Sequence, residues 1–199
     1  MPKCAPWLLV ARASARAWPA AHENPAVACL PSAAPATGET APRFAADAML
    51  ARLARWLRLL GWDTTLDAAL HDGKLVRQAE QEDRVLLTRD RHLLRELRPH
   101  RALRIEHDDP LQQLAQVVRQ LALAPPAELF TRCTVCNTAL SAPLPPQARA
   151  ALLPADVREL PGPARHCPGC GRLYWRGSHA RRMRAALERA LPGWLRREP

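Results

Sequence analysis

Four cysteines, arranged as two widely separated pairs, constrain the possible folds of this chain more than any other feature. Cys133 and Cys136 have two residues between them, as do Cys167 and Cys170, and 30 residues separate the pairs. Two such turns can direct four thiolates at one ion and complete the tetrahedral sulfur shell that Zn²⁺ prefers. Two redox dithiols are the alternative, but that motif normally occurs once, on a β-α-β unit. We predict a four-cysteine zinc site that is structural, because a closed shell has no open coordination position.

The distribution of the cysteines also indicates a compartment. Six cysteines in 199 residues could suggest a secreted disulfide scaffold, but paired spacing is typical of metal binding in a reducing compartment. No apolar run approaches the roughly 18 residues that a membrane span needs. The apolar run at residues 7–11 is also too short for the core of a signal peptide. We therefore predict a cytoplasmic protein with no membrane partner.

The charge of the chain favours a polyanionic partner. The formal net charge is +10 and the sequence pI is about 10.5. Nucleic acid or an anionic membrane surface would complement such a charge. A basic surface that only faces water is the alternative, and charge alone does not separate these interpretations.

Composition divides the chain near residue 43. Residues 1–42 are rich in Ala and Pro without a sustained period, which predicts a disordered or weakly ordered segment. Beyond it, apolar runs alternate with amphipathic segments. The runs predict strands at 43–47, 62–66, 85–88 and 102–105, and the segments predict helices at 49–60, 72–83, 92–97 and 110–123. This alternation is typical of an α/β fold with a parallel sheet and helices on both faces.

Two prolines at positions 125 and 126 end this α/β domain, which we place at residues 43–126. A zinc ribbon with a basic C-terminal helix, at 178–191, follows at residues 127–191, and a tail occupies residues 192–199. Within the first domain, the helix at 49–60 has an apolar stripe and a basic side. The stripe comprises Met49, Leu50, Leu53, Trp56, Leu57 and Leu60, and the basic side comprises Arg52, Arg55 and Arg58. That side is either only solvated or brings phosphates toward the neighbouring acids.

Acidic residues recur where the predicted strands end. They are Asp47, Asp67, Asp90, Asp108 and Asp109, together with Asp72 at the start of a helix. Ligands gather at the carboxyl ends of parallel strands, and several carboxylates meeting there repel one another unless a cation is present. We therefore predict Mg²⁺ or Mn²⁺ that activates water against a phosphodiester. As alternatives, Asp72 only caps its helix, and the two acids before Pro110 only form a turn.

Three segments of the chain resemble a known family. They are residues 47–61, the motif Leu86-Leu87-Thr88-Arg89-Asp90, and the cysteine segments at 133–137 and 167–183, which include Cys167-Pro168-x-Cys170-Gly171-Arg172-x-Tyr174-Trp175. Together they resemble the Mut-seven C-terminal RNase domain family, a PIN-like group, over roughly residues 43–190. The resemblance implies a PIN-like α/β fold fused to a zinc ribbon, and metal-dependent ribonuclease activity.

The resemblance also assigns residues by position. Asp47, Asp72 and Asp90, the acid of the Thr-x-Asp motif, match the acids expected to hold Mg²⁺ or Mn²⁺. The usual pattern has a further acid, for which Asp63 or Asp67 is available, and we take Asp67 as the fourth catalytic acid. We expect phosphate contacts from arginines beside the acids or on the last helix. They are Arg52, Arg55, Arg89, Arg91, Arg182 and Arg184.

Three hypotheses follow for the function. The first is an endoribonuclease that hydrolyses RNA at an Asp-bound Mg²⁺ or Mn²⁺ centre. The second is a non-catalytic RNA-binding protein, associated for example with ribosomes, that retains its zinc ribbon. The third is a toxin-type PIN protein with a separate antitoxin. Under either of the first two hypotheses, replacing Arg182 and Arg184 on the last helix should weaken RNA binding and reduce its salt dependence.

Overall fold

The structure is a computed structural model that describes residues 41–195. The segment predicted at residues 1–42 therefore lies outside the described residues except for its last two positions. The tail predicted at residues 192–199 is described only as far as residue 195.

Four short parallel strands form the central sheet. They are β1 (Phe44–Ala46), β2 (Thr64–Thr65), β3 (Val85–Thr88) and β4 (Ala102–Arg104). The order across the sheet is β2-β1-β3-β4, and every neighbouring pair is parallel. The two central strands, β1 and β3, are buried along their whole length. This matches their sequence, because parallel strands covered on both faces are continuously apolar.

Helices cover both faces of the sheet, as the alternation of strands and helices predicted. The four that connect or follow the strands are α1 (Ala51–Leu59), α2 (Asp72–Gln81), α3 (Arg91–Leu97) and α4 (Pro110–Gln120). Phe44 and Leu87 share a core cluster with α1 and α4, whereas Ala45 and Leu86 share another with α2 and α3. Successive strand residues point to opposite faces, so β1 and β3 each contribute to both cores. The α/β fold class is confirmed.

The start of the first helix differs from the prediction. A 3₁₀ turn at Ala48–Leu50 precedes α1. This turn changes the helical phase, and Met49, which we placed in the apolar stripe, is 60% exposed. Leu53 and Leu57 are fully buried, as the stripe predicted.

The remaining elements lie C-terminal to the sheet. A two-stranded antiparallel ribbon pairs β5 (Arg165–His166) with β6 (Leu173–Tyr174). Two short helical segments that the sequence analysis did not identify precede it, α5 (Pro146–Leu152) and a 3₁₀ turn at Ala155–Val157.

The last helix, α6 (Ser178–Ala190), packs against α4 rather than only against the cysteine segments. Leu187, Leu191 and Leu195 are buried in the same cluster as Leu114 of α4. Trp194 donates its indole N–H to the carbonyl of Leu123 at 3.0 Å. The C-terminal helix therefore completes the core of the sheet. Within residues 41–195, no helix combines the length and the apolar character needed to cross a membrane.

Candidate active site and four-cysteine centre

A buried threonine joins two of the predicted catalytic acids at the carboxyl edge of the sheet. Asp47 follows β1 and Asp90 follows β3, and these strands are neighbours. Thr88 is fully buried, and its hydroxyl donates to Asp47 Oδ2 at 2.7 Å and accepts from the Asp90 backbone N–H at 3.0 Å. We call Asp47, Thr88 and Asp90 the acidic edge. Thr88 was not among the predicted site residues, although a hydroxyl that ends an apolar strand was a usable signal.

Asp90 has a structural role as well as a position in the acidic edge. Its Oδ1 atom accepts hydrogen bonds from the backbone N–H groups of His92 and Leu93, at 2.7 and 3.1 Å. This is the N-cap of α3. All of these cap bonds use Oδ1, so capping does not occupy Oδ2.

Asp67 and Asp72, the other two predicted acids, are exposed. Asp67 forms a local turn, in which its Oδ1 accepts from the Ala69 backbone N–H at 2.9 Å. Asp72 is the first residue of α2, while the cap position belongs to His71, whose side chain makes no cap bond. Asp72 therefore does not serve as the helix cap that we considered as its alternative.

The predicted carboxylates do not converge as a group of three. Within residues 41–195, the only set of three or more Cys, His, Asp or Glu ligand atoms within 4.8 Å of one another is formed by the four cysteines. Mg²⁺ is usually held by one or two carboxylates and retains several waters. Asp47 and Asp90 lie on either side of the Thr88 hydroxyl and offer the carboxylate oxygens that a hard cation such as Mg²⁺ prefers.

Asp63 lies at the opposite edge of the sheet from the acidic edge. It precedes β2, and its carbonyl accepts from the Phe44 N–H where β1 begins. Its carboxylate pairs with Arg84 at 2.8 Å and accepts from Asn137 Nδ2 at 2.7 Å. Burial raises the pKa of the Asp63 carboxyl, but the hydrogen bonds from Arg84 and Asn137 outweigh it and the pKa is lowered. Asp63 is therefore engaged with protein groups at a distance from the acidic edge.

The acids that end β4 are engaged with protein groups. Asp109 caps α4, with Oδ1 accepting from the N–H groups of Leu111 and Gln112, both at 3.0 Å. Asp108 forms an ion pair with Arg89. Asp109 therefore serves as the N-cap of α4, a role that we had considered only for Asp72.

Arginines line a groove beside Asp90. The groove has a volume of about 420 Å³ and is lined by Arg89, Arg91, Arg104, Ile105 and Glu106. We call it the arginine groove. It brings together the predicted Arg89 and Arg91, and it adds Arg104, which sequence reasoning missed. The other predicted arginines lie elsewhere: Arg52 and Arg55 are exposed on α1, and Arg182 and Arg184 lie on α6.

The four cysteines meet at one point, as their spacing predicted. The sulfur of Cys133 is 3.6 Å from that of Cys170, and the sulfur of Cys136 is 3.4 Å from that of Cys167. A tetrahedral shell with Zn–S bonds of about 2.3 Å places its sulfurs about 3.8 Å apart. All four thiols are free of disulfides. The arrangement fits a zinc ion, and we call it the four-cysteine centre.

The two cysteine turns repeat the same backbone geometry. In the first, the N–H of Asn137 donates to the Cys133 carbonyl at 3.0 Å, and in the second the N–H of Gly171 donates to the Cys167 carbonyl at 2.9 Å. Asn137 and Gly171 both have positive φ, 68° and 71°. Left-handed backbone favours Gly and, after it, Asn, so the sequence supplies a suitable residue at each equivalent position.

The environment of the sulfurs favours a thiolate at Cys133. A hydrogen bond with Cys167 lowers the pKa of the Cys133 thiol to about 4, while burial raises the pKa of Cys170. The Tyr174 hydroxyl lies 3.1 Å from Cys133 Sγ. Metal coordination requires the thiolate form of the ligand cysteines.

Comparison with known proteins identifies the family of this chain. The family model of the Mut7-C RNAse domain matches residues 42–187. The chain belongs to the Mut7-C RNAse domain family. No curated protein and no solved structure is significantly similar to it. Because the match runs from β1 into α6, the acidic edge and the four-cysteine centre both lie inside the Mut7-C region, and this membership indicates a ribonuclease-like protein with RNA as substrate.

A buried arginine connects the four-cysteine centre of this Mut7-C chain to the sheet. Arg58 is only 6% exposed, although we placed it on the basic side of its helix. Its Nε donates to the Thr64 carbonyl and its Nη1 to the Val135 carbonyl, both at 2.8 Å. Burial lowers the pKa of its guanidinium. Arg58 follows the buried Ala54 by one helical turn and therefore lies on the inward side of α1.

Asn137 makes a second connection between the two parts of the Mut7-C region. Its Oδ1 accepts from the Thr64 N–H at 3.0 Å, while its Nδ2 donates to Asp63. Arg132 donates to the Gly61 carbonyl at 3.3 Å. The first cysteine turn is therefore hydrogen-bonded to the edge strand β2 and to the end of α1.

Proposed function

We propose that the protein is a metal-dependent endoribonuclease that hydrolyses RNA phosphodiester bonds at the acidic edge. The observation that carries this proposal is the Thr88 hydroxyl between Asp47 and Asp90, at the carboxyl end of neighbouring parallel strands in a Mut7-C chain. Ligands bind at that end of an open parallel sheet. A basic surface around an acidic centre suits a polyanionic substrate.

Asp47 and Asp90 are the proposed ligands of Mg²⁺ or Mn²⁺, with Asp72 and Asp67 as further acids. A bound ion would supply a Lewis acid for a phosphoryl oxygen and lower the pKa of an attacking water. Thr88 donates to Asp47, so it fixes the orientation of that carboxylate. The acidic edge is therefore a preorganised set of oxygen ligands for a metal ion.

Arginines on three parts of the surface are the proposed substrate contacts. Arg89 and Arg91 flank Asp90 and would contact phosphates near the bond that is cleaved. Arg52 and Arg55 on α1, and Arg182 and Arg184 on α6, would contribute contacts independent of sequence.

The four-cysteine centre is the proposed site of a structural Zn²⁺. Its role is to hold the cysteine turns together and, through Arg58 and Asn137, to hold them against the sheet. Free thiols suited to zinc are typical of reducing conditions, which supports a cytoplasmic location.

The test is cleavage of a mixed pool of structured and single-stranded RNA with added Mg²⁺ or Mn²⁺. Asp90→Asn removes one carboxylate, and Asn is also a good N-cap, so we expect a folded protein with activity reduced at least 100-fold. Asp109→Asn is the matched control, because Asp109 caps α4 with the same pattern of bonds but lies outside the acidic edge. If wild type and Asp90→Asn cleave RNA equally, the acidic edge is not the catalytic site.

A non-catalytic RNA-binding protein is the second candidate. The observation that favours it is that no three carboxylates converge among the described residues. This function predicts RNA binding without cleavage in wild type and in both Asn variants.

A further inference from the structure

We propose that the arginine groove binds the RNA backbone through Arg104, and that carboxylates of the β4–α4 loop occupy its arginines until RNA displaces them. The proposal rests on the proposed function, because it takes RNA as the ligand. It adds Arg104 as an RNA contact and a path for the RNA strand across the surface. It also adds competition between carboxylates of the protein and phosphates of the RNA for the same arginines.

Arg104 stands next to the residue at the centre of the acidic edge. It is the register partner of Thr88 across the β3–β4 pair. Neighbouring strands lie about 4.8 Å apart, so the backbone of Arg104 is one strand spacing from that of Thr88. Consecutive phosphates of an RNA strand that crosses Asp90 would therefore reach the C-terminal end of β4. The RNA path runs from the acidic edge over β3 and β4, away from β2.

Two buried glutamines of α4 hold the groove wall in place. Gln116 donates to the Arg104 carbonyl at 2.8 Å and accepts from the Glu106 N–H at 3.0 Å. Gln113 donates to the His107 carbonyl at 2.9 Å. Both glutamine residues are 4% exposed. Buried amides that hydrogen-bond to the backbone of Arg104, Glu106 and His107 indicate that the fold fixes the position of this wall.

Two of the three arginines of the groove are paired with acids of this wall. Arg104 forms an ion pair with Glu106, and Arg89 forms one with Asp108. Both carboxylates are well exposed, and exposed ion pairs are weak. A guanidinium that binds a carboxylate has the geometry to bind a phosphate with the same donors. Glu106 and Asp108 therefore occupy the positions at which RNA phosphates would bind, and the RNA displaces them.

The test is the affinity for a fluorescent single-stranded RNA, measured by anisotropy at several salt concentrations without added Mg²⁺ or Mn²⁺. Arg104→Ala should weaken binding several-fold and reduce the salt slope by about 1. Glu106→Gln should tighten binding several-fold because it releases Arg104. In the Arg104→Ala background, Glu106→Gln should have no effect.

The opposite end of the same strand supplies matched controls. Arg101 precedes β4 and pairs with Asp83 at 2.7 Å, and both are exposed. Arg101→Ala and Asp83→Asn should leave affinity unchanged. Equal losses for Arg104→Ala and Arg101→Ala would overturn the proposal, as would a Glu106→Gln effect that persists without Arg104.

The outcomes also separate this inference from the proposed function. RNA binding that is indifferent to Arg104 and Glu106 would overturn the inference alone, since cleavage at Asp90 is measured independently. Failure of the wild type to bind any RNA would overturn both. Glu106→Gln changes an exposed side chain, so its result does not depend on a risk of misfolding.

Discussion

Single side chains decide how the acidic edge is built, and Thr88 illustrates this best. It is a buried hydroxyl with two partners, Asp47 and the backbone of Asp90, and both bonds are short. A buried polar atom without a partner costs more than the bond itself contributes. Removing the hydroxyl would therefore leave the Asp90 N–H without its acceptor and Asp47 without a donor.

Thr88→Val keeps the shape of the side chain and removes this hydroxyl. We expect the free energy of unfolding to fall by about 1–3 kcal/mol, measured by urea denaturation. Metal-dependent cleavage should fall as well, because Asp47 is no longer oriented. Thr65→Val is the control, since the Thr65 hydroxyl makes only a long 3.4 Å bond to Phe44. A Thr88→Val protein as stable and active as wild type would contradict this role.

The residue scale also shows what the sequence could predict about the site. The predicted strand ends indicated that Asp47 and Asp90 lie at one edge of the sheet, and they do follow neighbouring parallel strands, whereas their role in catalysis stays a prediction. The burial of Arg58 and the pairing of Asp63 with Asn137 were not predictable in the same way. Both depend on the cysteine turn, more than 70 residues later in the chain, packing on α1 and β2.

At the scale of elements, α1 has two structural roles, and its amphipathic sequence pattern does not distinguish between them. Leu53 and Leu57 on one side of the helix pack in the core. Arg58 in the last turn of the helix hydrogen-bonds to the first cysteine turn. The helix was predictable from its apolar period, but the start in a 3₁₀ turn was not, and neither was α5. Short helices that begin at proline carry little periodic signal.

The second role of α1 can be tested with Arg58→Met, which keeps an apolar stem and removes the guanidinium. Buried carbonyls of Thr64 and Val135 then lose a donor, so we expect a loss of about 1–3 kcal/mol of stability in thermal or urea unfolding. Release of zinc to a chromogenic chelator should also become faster. Arg55→Met, an exposed position on the same helix, should change stability by less than about 0.5 kcal/mol.

A result in which the two variants behave alike would show that Arg58 contributes no more than a surface arginine. Faster zinc release with unchanged stability would instead restrict its role to the cysteine turn.

At the scale of the whole molecule, the sheet and the four-cysteine centre share hydrogen bonds. Arg58, Arg132 and Asn137 all link them, and on the side of the sheet each bond involves α1, β2 or the segment between them. The sequence separated these parts at residue 126, and that division stays a prediction. Stability of the two parts should nevertheless be coupled, because the links are backbone-directed and half-buried or buried.

Removal of zinc with a chelator tests this coupling. We expect faster amide hydrogen exchange in the cysteine turns and also in β2 and the end of α1, where Thr64 depends on Asn137. Protection in β3, the buried central strand, should persist. Exchange that increases only in residues 131–176 would show that the centre is energetically independent of the sheet.

The packing of α6 has a consequence for biosynthesis. Leu187, Leu191 and Leu195 belong to a core cluster that also contains Phe44 of the first strand, so some 140 residues of chain separate members of one cluster. A growing polypeptide emerges from its N-terminal end and its domains fold as units. The apolar surface that α6 covers therefore stays exposed until translation has passed residue 195. Nascent chains of this protein should consequently depend on protection from aggregation late in synthesis, after every strand of the central sheet is already available.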